Sequence, residues 1–170
     1  MASRHTARER ALQMIFQWEA SGDAPEKVVL TYWNHLAETL TEADEEPGES
    51  ELANSLLYGV VRQQKMLDEL ISSHASNWKI ERLSAVDRNI LRLAIFEMRQ
   101  PEGRKGVIIT EAIELGRRFS GEQSVRFLNG VLDAVAKTLK VKGLEEDATA
   151  PNRPEAPAPS PQSPAGSRRS

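Results

Sequence analysis

Apolar residues recur along most of this chain at intervals of three and four, the period of a helix with one buried face. Ala7, Ala11, Ile15 and Trp18 begin the series, with Leu12 and Phe16 beside them. Thr6-Ala7-Arg8-Glu9 has the form of a capping box, in which Thr6 and Glu9 satisfy each other's free backbone donors. Ser21-Gly22-Asp23 ends that helix. Pro25, a good first-turn residue, opens a second, which carries Val28 or Val29, Tyr32, Leu36 and Leu40. Asp44 to Ser50, with Pro47-Gly48, reads as a loop. A long third helix carries Leu52, Leu56, Leu57, Val60, Leu67, Leu70 and Ile71. The chain turns near Asn77-Trp78, the expected boundary between two halves, about 1–76 and 77–140.

In the second half Ser84 caps a helix with Asp87 at its third position, followed by Ile90, Leu91, Ala94 and Met98. Pro101 and Gly103 end it. Ile108, Ala112, Leu115, Gly116 and Phe119 mark the next helix, closed by Ser120-Gly121, and Leu128, Val131, Leu132, Val135 and Leu139 mark the last. Asn129-Gly130 is ordinarily a hairpin signal, but the helical spacing runs through it and its flanks do not alternate. Gly130 is therefore read as a helix residue that lets a neighbouring helix approach closely. The predicted fold is all-α: two packed three-helix halves, followed by a tail. Six of the nine prolines fall between Pro151 and Pro164, so 141–170 is expected to be disordered.

Composition narrows the function. Cysteine is absent, which excludes thiolate chemistry and suits a reducing compartment. The first ten residues lack the apolar core of a secretion signal, and no apolar run approaches the roughly 20 residues that span a bilayer. A cytoplasmic protein without membrane contact is expected. The net charge of −3 is unevenly spread: residues 1–18 carry +2, 19–51 carry −9, 52–78 are neutral, and 79–140 carry +4. A polyanion would approach the first and last of these regions and avoid the second.

No catalytic constellation can be assembled. His5, His35 and His74 are far apart, and Glu111 with Glu114 reads as two surface carboxylates rather than half of a metal site. Neither a nucleophile elbow nor a phosphate-binding glycine loop is present. The expectation is a binding protein with no cofactor and no metal.

Two basic clusters are candidates for nucleic acid. Arg4 and His5 precede the first helix and Arg8 and Arg10 lie in its first turns, where backbone N–H groups and the helix dipole favour an anion. Arg117, Arg118 and Arg126 surround the joint of the last two helices, with Phe119 and Phe127 among them. Bases of this kind track phosphates, and an aromatic face stacks a splayed base. Phe119 continues the stripe from Leu115 and is expected in the core; Phe127 is open to either role.

Four blocks carry a resemblance. Ala7-Arg8-Glu9-Arg10-Ala11-Leu12-Gln13, Asp87-Arg88-Asn89-Ile90-Leu91-Arg92-Leu93-Ala94 with Glu97, Glu111-Ala112-Ile113-Glu114-Leu115, and Phe127-Leu128-Asn129-Gly130-Val131-Leu132-Asp133 resemble, in order, signatures of the NusB family of bacterial transcription antitermination factors. The likeness spans about residues 4–140. It implies binding of single-stranded boxA RNA together with NusE, a small-subunit ribosomal protein, within the RNA polymerase antitermination complex active in ribosomal RNA synthesis. It places Arg4, His5 and Arg8 in the RNA-binding arm, Arg126 and Phe127 on the RNA path, and Phe16 and Asp87 towards NusE. Three alternatives stand beside it. One is a helix-turn-helix DNA binder built on Ser120-Gly121-Glu122. A second is a NusB-like domain of the kind fused to RNA cytosine methyltransferases, and a third is a protein-interaction module without an RNA role.

Overall fold

The periodic segments are all helical in the computed structural model, which describes residues 4–39, 47–75 and 78–149, with side chains through 140. The elements are α1 (Arg4–Ser21), α2 (Pro25–Ala37), α3 (Glu49–His74), a 3₁₀ turn (Ile80–Arg82), α4 (Ala85–Met98), α5 (Lys105–Phe119) and α6 (Glu122–Thr149). No strand occurs among the described residues. Residues 1–136 form one compact unit and those from Lys137 a second.

The first unit is organised around α4. Its length from Asp87 to Met98 is buried except for the half-buried Arg88, because it packs against α1, α3 and α5. Ser84 fixes its start, with an extended backbone and an Oγ that accepts from the Asp87 N–H at 3.1 Å. Ala7, Ala11 and Ile15 of α1, Leu57, Val60, Leu67 and Ile71 of α3, and Leu128, Leu132 and Val135 of α6 complete the core. Small residues set the closest approaches. A Cβ on Gly59 would lie 2.1 Å from the Phe96 ring, so only glycine lets α3 and α4 meet there. Gly116 is likewise pressed against Leu128 of α6.

Three expectations change. The helix begins at Arg4, so Thr6 lies inside its first turn and no capping box forms. Ala7 and Ala11 of its first turns are fully buried. Gly130 is exposed, and a Cβ added there would meet nothing within 4 Å, so it does not mediate a close approach. Helix α6 continues to Thr149 and takes in 141–149, which were expected to be tail. Leu40, Asp44 to Glu46, Asn77 and 150–170 lie outside the described residues.

Candidate nucleic-acid interface

The first basic cluster is not an open arm. Arg8 is buried, and its Nε donates to both carboxylate oxygens of Glu97 at 2.8 and 3.0 Å. Its Nη1 donates to Glu111 at 3.2 Å. Burial by itself would lower the Arg8 pKa, but hydrogen bonds and charge from Glu97 and then Glu111 outweigh it and hold the guanidinium above its usual value. His5 places one ring nitrogen 3.1 Å from Glu9 and the other 3.0 Å from Glu111. Arg10 pairs with the buried Glu49 at 3.3 Å. Arg8, expected to grip phosphate, is instead part of the helix packing, because its charge is already neutralised in the interior. Glu111, expected to be a surface carboxylate, is half-buried and joins Arg8 to His5. Arg4 alone of this group has no ion-pair partner among the described residues.

The second cluster also divides. Arg117 is tied to Glu114 and Glu122, and Arg118 donates to Glu9 of α1 at 2.8 Å and also stacks over Phe119, 5.1 Å from the ring centroid. Phe119 is half-buried rather than core. Arg126 is exposed and has no ion-pair partner among the described residues. Next to it, Phe127 is half-buried and meets the indole of Trp78 edge to face, with centroids 6.1 Å apart. Trp78 is 54% exposed. Lys79 and Arg82, exposed and unpaired among the described residues, follow it in the chain. The sequence marked Trp78 only as a turn; folding sets it against a residue 49 positions away.

Asp87 and Phe16 differ sharply. Phe16 is 45% exposed on α1, a large apolar side chain facing outward. Asp87 is buried, and its two oxygens accept from Ser120 Oγ at 2.7 Å and Ser124 Oγ at 2.8 Å. It therefore holds the α5–α6 joint rather than presenting a free charge.

A further network was not legible beforehand. Arg88 and Arg92 of α4 both grip Glu19 of α1, at 2.6 Å each, and Arg92 also binds Asp68 of α3 through two bonds of 2.7 and 2.9 Å. Arg88 additionally donates to the carbonyls of Ile80 and Leu83, which anchors the turn that leads away from Trp78. Among the described residues no cluster of histidines and carboxylates has the form of a metal site, and no helix is long and apolar enough to cross a membrane.

The comparisons with known proteins agree with the all-helical fold. Residues 5–137 match the family model described as NusB family. The transcription antitermination protein NusB of Solibacter usitatus is 44% identical, over 82% of this chain and 92% of that protein. Among solved structures, NusB of T. maritima superposes with a TM-score of 0.68 at 34% identity, covering 81% of this chain and 93% of its own. A crystal structure of antitermination factors NusB and NusE in complex with double-stranded RNA superposes with a TM-score of 0.67 at 27% identity, covering 79% and 96%. These findings set aside the helix-turn-helix reading. The chain belongs to the NusB family of transcription antitermination proteins, which act by binding and not as enzymes.

Proposed function

We propose that this antitermination factor binds single-stranded boxA-type RNA together with NusE, a small-subunit ribosomal protein, in the cytoplasm within the RNA polymerase complex that makes ribosomal RNA. The observation that carries the reading is the half-open aromatic pair Trp78–Phe127 with the free Arg126 alongside. A duplex hides its base faces, whereas a splayed base on a single strand can stack on an exposed ring while a guanidinium holds its phosphate. Of the RNA-contact residues expected from the sequence, Arg4 and Arg126 are unpaired and left to contact phosphate; His5, Arg10 and Arg118 contribute only by exchanging their present carboxylates for RNA. Phe16 supplies an apolar anchor for NusE, and Asp87 supports that surface by fixing the joint. The division near residue 76 separates α1–α3 from α4–α6.

The test is binding of boxA RNA, scrambled RNA and duplex DNA across a salt series, with and without NusE. Preference for boxA, stronger and steeper in salt with NusE present, is the expected result. Equal binding of all three nucleic acids, or none, leaves a protein-interaction module without an RNA role.

A further inference from the structure

The turn from Trp78 to Leu83 has few anchors of its own. Its 3₁₀ segment, Ile80–Arg82, is three residues long, and no side chain caps it. Trp78, Lys79, Glu81 and Arg82 are exposed and Ile80 is half-buried, which leaves Leu83 as its one buried side chain. Trp78 N–H donates to the Ala75 carbonyl at 2.9 Å, and Arg82 N–H to that of Lys79 at 2.9 Å. A segment this short, with so little apolar burial, belongs to the locally unstable end of a fold unless something outside it holds it.

Arg88 of α4 is that outside hold. Its Nη1 donates to the carbonyls of Ile80 and Leu83 at 3.3 and 2.9 Å. Nε and Nη2 donate to the two oxygens of Glu19 at 2.9 and 2.6 Å, which fixes the guanidinium to α1. The planar fork of arginine meets a carboxylate on one edge and two backbone carbonyls on another. A lysine ammonium keeps the charge but offers one nitrogen, and cannot satisfy all of these acceptors at once. At the start of the same turn stands Trp78, edge to face with Phe127.

We propose that Arg88, braced by Glu19, is a positioning residue for RNA binding: it sets the turn so that the Trp78 indole stands ready beside Phe127 as a stacking face. The proposal rests on the reading of that aromatic pair as an RNA surface. Arg88 itself contacts no phosphate, because its charge faces Glu19 and its other donors face the backbone. Its contribution is preorganisation: a ring already in place meets a base without the entropy loss of ordering the turn.

The experiment is titration of single-stranded boxA RNA, with NusE present, into full-length Arg88→Lys, Trp78→Ala and the double variant, below the melting temperature of each. Arg88→Lys is expected to weaken binding about fivefold, the lower end of what one stacked base contributes, with the salt slope unchanged. In the Trp78→Ala background the same substitution should cost nothing further, because the ring it positions is gone. Glu19→Gln, which loosens Arg88 without touching the turn, should show the same pattern, and it serves where Arg88→Lys does not fold. Asp68→Asn loosens the same ion network where it binds Arg92 and not Arg88. It should lose stability yet keep its RNA affinity. The Trp78 indole N–H resonance should move in Arg88→Lys while those of Trp18 and Trp33 stay. Losses that simply add in the double variant, a slope lowered by about 0.7, or an equal RNA loss in Asp68→Asn overturns the proposal. Trp78→Ala binding like the parent sinks the RNA reading of the pair and this proposal with it. A loss in Trp78→Ala with none in Arg88→Lys sinks this proposal alone.

Discussion

Arg8 and Glu97, 89 positions apart, form a buried two-bond pair between α1 and α4. The same guanidinium reaches Glu111 of α5, so one side chain joins three helices. Its charge serves the interior, and this changes what its removal should do.

Arg8→Ala leaves Glu97 buried without its counter-charge, which typically costs about 3–5 kcal/mol. The variant should unfold at markedly lower denaturant. Once folded, it should keep the parent's salt slope for RNA, because no phosphate contact is lost. A slope lower by about 0.7, with normal stability, would return Arg8 to the RNA surface.

The helices were legible because their apolar spacing is a local property. Ile90, Leu91 and Ala94 declare a buried stripe within one turn of one another, and Ser84 declares where it starts. The candidate surface was legible only in part, because a charged residue's role depends on what folding places opposite it. Arg8 and Arg126 look alike in sequence; one meets Glu97 and the other meets solvent. Trp78 gained its meaning from Phe127, and Glu111 from Arg8 and His5, across separations that no periodicity encodes. The missed capping box has a related cause: Thr6 and Glu9 fit the local rule, but Glu9 is taken by His5 and Arg118.

Glu19 should give the protein an acid-sensitive step. Burial raises its pKa, but hydrogen bonds and charge from Arg88 and Arg92 outweigh that and hold it below 4.5. A lowered folded-state pKa contributes stability that is fully present above the unfolded value and is lost as pH falls through the folded one. Chemical denaturation from neutral pH downward should therefore show stability falling below about pH 4.3, the ordinary glutamate value. Glu19→Gln should be less stable at pH 7 and flatter in acid. A parallel acid limb in both proteins would assign the effect elsewhere.

Asp87 should matter to stability before it matters to any partner. A helix-start carboxylate alone contributes about 0.3–1 kcal/mol through the dipole. The Ser120 and Ser124 hydroxyls add two hydrogen bonds to a charged group, each contributing roughly 1.5–3 kcal/mol. Asp87→Lys should therefore lower the denaturation midpoint strongly, and Asp87→Asn, which keeps one acceptor, should lower it less. If Asp87→Lys melts like the parent while NusE affinity collapses, the carboxylate faces the partner after all.

The aromatic pair and its neighbouring arginine should separate into two signatures. Phe127→Ala and Trp78→Ala each remove a stacking face, with an expected loss of about 1–3 kcal/mol in affinity for single-stranded RNA and no change in salt slope. Arg126→Gln removes one phosphate contact and should lower the slope by about 0.7. Stability must be followed in the same proteins, because the rings also touch each other. An edge-to-face pair contributes roughly 0.5–1.5 kcal/mol beyond its buried area, and Trp78 is more than half exposed. Trp78→Ala should therefore be the cleaner variant, with a small shift in melting and a full loss of stacking. Phe127→Ala should cost more stability, since its ring is the more enclosed of the two. Should Trp78→Ala bind RNA as tightly as the parent, the pair is a packing contact and the RNA track lies with the arginines alone.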